Sequence, residues 1–343
     1  FSVSGQYLAF YSPGYLNDVK PELMAESRRL LDATLAKCQT EAQRARAKLL
    51  EQAFQYYEAS VLAYQANNTL TTALVDTEAH ALAALDQSVQ AVEMGQRRRH
   101  LALEVFPKDP VLVHPLSIQN SALSGETWGG SGLWAVADWV VRGENEVRRR
   151  VEDLAANSPS QTVRDQASLL LKIVGKQAVN LLKNGSFEEG SGPASTGWGY
   201  WRKPDVPPDP PLGQMLRSQE VAHEGQYSLL CAGLLRGGPV QDVAFPGPGT
   251  YYALAWVYTP AGQMNKGTVE LAITPVSDKG QNLPGMSSRV IPAAGRWTLL
   301  VVGGRVPAQF DGQPVARLRP IPIVDGFQDG GKVYVDEVGL YRV

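Results

Sequence analysis

The sequence predicts a two-part chain, an N-terminal α-helical bundle followed by an antiparallel β-sandwich of jelly-roll type. Three observations carry that expectation. The 343 residues exceed one small core at roughly one domain per 150 residues. Up to residue 176 apolar residues recur at helical spacing, and beyond it glycine and proline punctuate short runs of β-branched and aromatic residues. The expected boundary therefore separates a helical support domain, 1–176, from a strand-rich module, 177–343. The change of rhythm is sharpest at Asn184-Gly185-Ser186-Phe187-Glu188-Glu189.

Composition narrows the partners. Lys and Arg number 32 against 34 Asp and Glu, a formal net charge of −2, so no global field favours nucleic acid or an anionic membrane. A neutral partner, or none, is expected. Cys38 and Cys231 are the only cysteines, fall in different parts and form no Cys-x-x-Cys pair, which predicts buried free thiols. No apolar run approaches the ~20 residues of a membrane span. The chain begins at Phe1 without methionine, so an upstream portion with any export signal is compatible with it, and this end does not report localisation.

Residues 1–15 are aromatic and Gly/Pro-punctuated, and read as a segment that packs against something else. Asn17 or Asp18 can cap a helix whose first turn holds Pro21 and Glu22. From Leu23 to Tyr64 the apolar spacing predicts one long amphipathic helix, broken at Asn67-Asn68. A second, alanine-rich helix through Leu82, Leu85, Val89 and Val92 should return as an antiparallel hairpin. Arg97-Arg98-Arg99-His100 suggests nucleic acid, but no second basic cluster with interleaved aromatics accompanies it, so a solvated or dipole-complementing run is expected. Glycines around Trp128 form a loop before a short apolar helix containing Trp134 and Trp139; Trp128, Trp134 and Trp139 could line a ligand groove, and a core position is the expectation. Two short helices follow, one presenting Val147, Val151 and Leu154, the other opening at Ser158-Pro159 and presenting Val163, Ala167, Leu170, Leu171 and Val174 before Gly175.

In the second half, strands are expected over residues 179–183, 214–219, 227–232, 240–245, 250–259, 268–274, 287–291, 297–302, 315–319 and 332–342. In the 250–259 run, Tyr252, Leu254, Trp256 and Tyr258 share one face and Tyr251, Ala253, Ala255 and Val257 the other. Both faces are apolar, which predicts a central strand. Trp256 and Trp297 are accordingly expected in the core.

Five segments in order carry a resemblance: residues 180–188, Gly197-Trp198, Ala222 to Leu229, Gly249 to Val257 with Gly295-Arg296-Trp297-Thr298, and Val333 to Val338. Together they resemble jelly-roll carbohydrate-binding modules of families four, nine, sixteen and twenty-two. The resemblance covers nearly all of the second half and implies a module that binds glycan, although relatives also serve as spacers. It further implies a structural calcium held by the carboxylates of Glu188 and Asp336 and the carbonyls of Ser186 and Gln226. Calcium takes several oxygen ligands, so the type of site is chemically consistent. One family carboxylate aligns near His223, which is no calcium ligand; either Glu224 substitutes or the site is weaker. Without a metal, the two acids are ordinary strand-end carboxylates. The helical half more faintly resembles the helical tail of bacterial glycoside-hydrolase-like proteins of unassigned activity, which implies a secreted, cell-surface or periplasmic parent with an upstream catalytic region.

Sugar recognition needs flat aromatic faces and a few planar polar groups. Trp198, Tyr200, Trp201 and Arg217 supply them, though the same cluster could brace the proline-rich loop 204–211. No catalytic constellation is present in the sequence: His80, His100, His114 and His223 are scattered, and no nucleophile elbow or phosphate loop occurs. Glu126 and Asp138, each near a tryptophan, are the most tempting acids, with a cap or surface role as the expectation.

Overall fold

The computed structural model describes residues 13–72, 75–109, 111, 132–175, 177–203, 213–263 and 267–343. Glu126 and Trp128, His114 and the loop 204–211 lie outside them, as does most of the aromatic opening. The architecture is a helical region followed by an antiparallel β-sandwich.

Helix α1 is Pro21–Lys37, with proline in its first turn as expected. Helix α2 is Glu41–Thr72, so the predicted long helix is split at residues 38–40 and not at Asn67-Asn68. The local chemistry explains the split. The Thr40 hydroxyl accepts from the Gln43 amide at 3.1 Å, while Gln43 Oε1 accepts from the Thr40 and Gln39 amides, a reciprocal capping box. Tertiary packing carries α2 through the asparagines, because Ala63, Ala66 and Leu70 on either side are buried. Helix α3, Glu78–His100, is capped by Thr77 and returns along α2. It runs directly into a π-helical turn, Leu101–Val105, so the Arg97 to His100 run is not at a helix end. Arg98 is not solvated either. It is buried beside Tyr56, and burial lowers its guanidinium to about 10.

Helices α4 (Ala137–Val141), α5 (Glu146–Asn157) and α6 (Gln161–Val174) complete the region. Asn145 caps α5, and Ser160 rather than Ser158 caps α6. The amphipathic stripes meet as expected: Leu85 and Val92 of α3, Val147 and Val151 of α5, and Val163, Ala167 and Leu170 of α6 share a core with Trp134.

Among the described residues fourteen strands follow: β1 Gly190–Ser191, β2 Ala194–Ser195, β3 Gly199–Arg202, β4 Gln214–Ser218, β5 Ser228–Ala232, β6 Arg236–Val240, β7 Val243–Ala244, β8 Gly249–Tyr258, β9 Thr268–Ser277, β10 Met286–Val290, β11 Trp297–Val306, β12 Gln309–Phe310, β13 Gln313–Asp325 and β14 Lys332–Arg342. One sheet is ordered β11-β8-β14-β5-β4; the other runs β10-β9-β13-β6-β3, with β7 and β12 also on β13. Their inner faces meet through Leu229, Cys231, Tyr251, Ala253, Leu271, Ile273, Val302 and Val335. Strand β8 is central, as its two apolar faces predict.

Three strand expectations change, the first being 240–245, which is strand only at Val240 and at Val243–Ala244. Residues 179–183 form no strand; Leu181 donates to the Leu340 carbonyl, and the Asn180 side chain bridges Val338 and Leu340, so a side chain does the work of a ladder. Strand β13 runs on past Arg319 through Pro320 and Pro322. Its ladder to β7 and β6 is interrupted between Leu318 and Val324, where the missing proline N–H groups have no partner to lose.

The outer face of the five-stranded sheet carries Tyr252, Leu254 and Val301, and these belong to the helical core. The helices and the sandwich therefore share one apolar interior, with the 3-10 turn Gly132–Val136 lying against β11.

Candidate functional site

The hexapeptide Asn184 to Glu189 is a structural joint. Asn184 adopts φ +50° and its carboxamide bonds Glu189 N, Glu189 O, Thr196 O and Ser195 Oγ, which folds the segment onto itself. Phe187 adopts φ +58°, a costly conformation for a bulky residue, and its ring is fully buried. The Val338 amide donates to the Gly185 carbonyl, closing the joint on β14.

The four residues expected to coordinate calcium are dispersed around this joint, but their carboxylates face N–H donors. Glu188 Oε1 accepts from the Gln226 and Tyr227 amides, both at 2.9 Å. Asp336 is fully buried; its Oδ2 accepts from His223 N at 2.8 Å and Glu224 N at 3.4 Å, and its Oδ1 from Glu337 N. Burial pushes Asp336 up to about 7, with those amide bonds pulling the other way. Calcium needs oxygens converging on one point, and among the described residues no three acidic, histidine or cysteine side chains lie together. The two acids hold the 223–227 loop directly.

Of the four residues expected to meet sugar, one, Trp201, lies on the outer face of a sheet. Trp198 is a correction: it is 8% exposed, packs on Phe187 with ring centroids 5.1 Å apart, and donates its indole N–H to the Asn184 carbonyl. Arg217 is structural as well. It bonds the Phe187 and Glu188 carbonyls and lies over the Tyr227 ring. Tyr200 and Trp201 are neighbours on β3, so strand alternation sends them to opposite faces; Tyr200 remains 40% exposed.

Trp201 lies on the outer face of the larger sheet, half-buried against Val240, Ala272, Ile321 and Ile323. This aliphatic floor is bordered by charge. Arg236 pairs with Asp325 and, at 3.3 Å, with Glu270, which Arg289 also meets at 2.6 Å. Burial pushes Glu270 up, yet hydrogen bonds from Arg289 and Ser287 with the Arg289 and Arg236 charges outweigh it and hold the carboxyl low. On the other side Arg319 grips Asp242 bidentately at 2.6 and 2.9 Å, and Arg317 reaches the same carboxylate at 3.1 Å. The Arg319 hydrogen bonds hold Asp242 below the ordinary carboxylate range. The arrangement offers one half-buried aromatic plate over a buried aliphatic floor, with fixed planar donors and acceptors around it. That is chemistry for hydroxyl-rich, uncharged ligands. None of these bordering residues was singled out from the sequence, although the alternation Arg317, Arg319, Ile321, Ile323, Asp325 carries the signal; the bulge and prolines of β13 obscure it.

A second aromatic group corrects another expectation. Trp256 and Trp297 are not in the sandwich core but half-buried on the outer face of the five-stranded sheet, where His223 stacks on Trp256 at 4.1 Å and meets Trp297 edge-on at 5.4 Å. Tyr258 adjoins Trp297, and Tyr334 bonds Glu220. These rings are occupied with one another, and burial depresses His223 towards the neutral imidazole. Asp138 is exposed in the first turn of α4.

No family model matches the chain, and no curated protein matches it. Solved structures similar to the strand-rich half include TmCBM61 in complex with beta-1,4-galactotriose, 20% identical over 48% of this chain and 100% of that one, TM-score 0.32. A family 16 carbohydrate-binding module is 20% identical over 48% and 100%, TM-score 0.34. The CBM22-1 xylan-binding domain from Paenibacillus barcinonensis Xyn10C is 15% identical over 48% and 96%, TM-score 0.35. The second half of this chain is thus similar to carbohydrate-binding modules of families 61, 16 and 22.

Proposed function

We propose that the sandwich is a non-catalytic glycan-binding module whose ligand lies along the outer face of the seven-stranded sheet, across Trp201. The carrying observation is the unequal use of the two outer faces. One buries Tyr252, Leu254 and Val301 under the helices, while the other places Trp201 on an aliphatic floor between paired arginines and carboxylates. Those charges compensate one another, so the face suits neutral sugar hydroxyls. The helical region, sharing a core with the sandwich, acts as a rigid mount. The resemblance read from the sequence extends this to a secreted carbohydrate-active parent in which module and mount position an upstream glycoside-hydrolase-like region. No helix among the described residues is long and apolar enough to cross a membrane.

The test is a neutral-oligosaccharide array and affinity electrophoresis with the full chain and with Trp201→Ala. Binding that falls at least tenfold in the variant while circular dichroism is unchanged is expected, since stacking on one aromatic contributes on the order of 1 kcal/mol or more. The competing reading is a spacer without sugar contact, which the structural roles of Trp198 and Arg217 favour. Uniform failure on the array would decide for it.

A further inference from the structure

Glu270 stands in line with Trp201 across the seven-stranded sheet. Trp201 is paired with Gly238 on β6, and the neighbouring pair joins Gly237 to Val324 of β13, which brings Gly238 beside Ile323. Ile323 is paired with Glu270 of β9, and Glu270 with Arg289 of β10. Paired residues of antiparallel strands share a face, so Trp201, Ile323, Glu270 and Arg289 form one outward row. Gly238 adds no side chain to that row, and the indole crosses it to pack on the floor that includes Ile323. The stacking plate and the carboxylate are therefore neighbours on the surface.

Glu270 is the hub of its charge network. Arg236 at 3.3 Å and Arg289 at 2.6 Å donate to the same oxygen, Oε2. Arg236 also grips Asp325, whereas Arg289 pairs with no carboxylate but Glu270 among the described residues. Glu270 is the most withdrawn of the four, its side chain 13% exposed against 52% for Arg289. A carboxylate set back behind two cations is screened less than an exposed pair, and it fixes the charge that a ligand meets. Without that charge Arg289 would stand uncompensated beside the indole, a planar fork of the kind that takes a carboxylate bidentately. The face would then favour a different ligand, because discrimination rests on repulsion and compensation as well as on attraction.

We propose that Glu270 is the specificity-determining residue of the Trp201 face: by neutralising Arg236 and Arg289 it confines that face to uncharged sugars and excludes uronates. This rests on the glycan-binding reading and names the residue that sets the charge of the ligand.

The test is titration calorimetry of the full chain with β-linked glucose and galactose trisaccharides and with their uronate counterparts, which carry a carboxylate at C6. The unaltered chain should bind at least one neutral trisaccharide at least tenfold more tightly than its uronate. Glu270→Gln keeps the shape and loses the charge; it should shift that ratio at least tenfold towards the uronate, and added salt should cancel the shift. Combining Glu270→Gln with Arg289→Gln should restore the original preference, a rescue that a merely structural role for Glu270 would not produce. Asp325→Asn, at a more exposed position of the same network, should move the ratio in the same direction and carries the test if Glu270→Gln does not fold. An unchanged ratio in the single variants, or uronate binding that persists in the double variant, overturns the proposal and leaves Trp201-dependent neutral binding, and with it the glycan reading, intact. Failure of every folded form to bind either class overturns both. Salt-sensitive uronate binding gained by Glu270→Gln in a chain that takes no neutral sugar upholds the role of the Glu270 charge and overturns the neutral-glycan reading.

Discussion

Replacing Leu254 by alanine should weaken the helices and the sandwich together. Leu254 points from β8 away from the sandwich core, is 6% exposed, and packs in the helical cluster with Tyr252 and Val301. Removing its three terminal carbons forfeits roughly 2.4 kcal/mol of transfer free energy at ~0.8 kcal/mol per carbon. The residual cavity brings typical buried Leu→Ala losses to about 2–5 kcal/mol. The helices can settle partway into the gap, so about 2–3 kcal/mol is expected, which is a Tm shift of about 3–4 °C for a chain of this size. The assay is urea denaturation followed by helical ellipticity and by tryptophan fluorescence. Both signals should move to lower urea by the same amount, because the residue belongs to an interior that both parts share. Two separate transitions, or a shift in the fluorescence signal alone, would refute the idea that the helices are a rigid mount. So would a loss below about 1 kcal/mol, the range of an ordinary surface change.

Calcium is expected to leave the melting temperature unchanged relative to EDTA, since the Glu188 and Asp336 oxygens already accept amide hydrogen bonds; a calcium-dependent rise of several degrees would restore the metal site. Glu188→Ala should cost about 1.5–3 kcal/mol, because its single oxygen Oε1 accepts from the Gln226 and Tyr227 amides and a hydrogen bond to a charged acceptor contributes about that much, read by urea denaturation; a change under about 0.5 kcal/mol would show the loop is held otherwise. Alkylation of the folded protein at mildly basic pH should label Cys38 alone. Cys231 is fully buried and its thiol is pushed up to about 12 by that burial, so a second label before unfolding would mean the inner face opens readily.

The division into helices and strands was legible because each part repeats its own period. Val163, Ala167 and Leu170 meet on one side of α6, and the two faces of β8 separate as alternation requires. The joint was legible too, since Asn184 takes the left-handed conformation its residue type tolerates. Periodicity gives a face but not what covers it. Tyr252, Leu254, Trp256 and Tyr258 form one apolar stripe in the sequence, yet the helices bury its first half and leave the second half to a cluster of rings around His223.

The same distinction governs the candidate site. Composition and local pattern determined which groups the chain has: an aromatic triplet after the joint, acids at strand ends, a basic run in α3. Their roles were decided by contacts between residues far apart in sequence. Trp198 was drawn inward by the Asn184 carbonyl, Arg217 by the joint's own backbone, and Glu188 and Asp336 by amides of the 223–227 loop. Arg236, Glu270, Arg289 and Asp325 become a single network only where β6, β9, β10 and β13 lie side by side. A local pattern records the preference of a residue for water or for a core. Hydrogen-bond partners and charge pairs are set by three-dimensional neighbours, and those exist only once the two sheets and the helices have closed on one another.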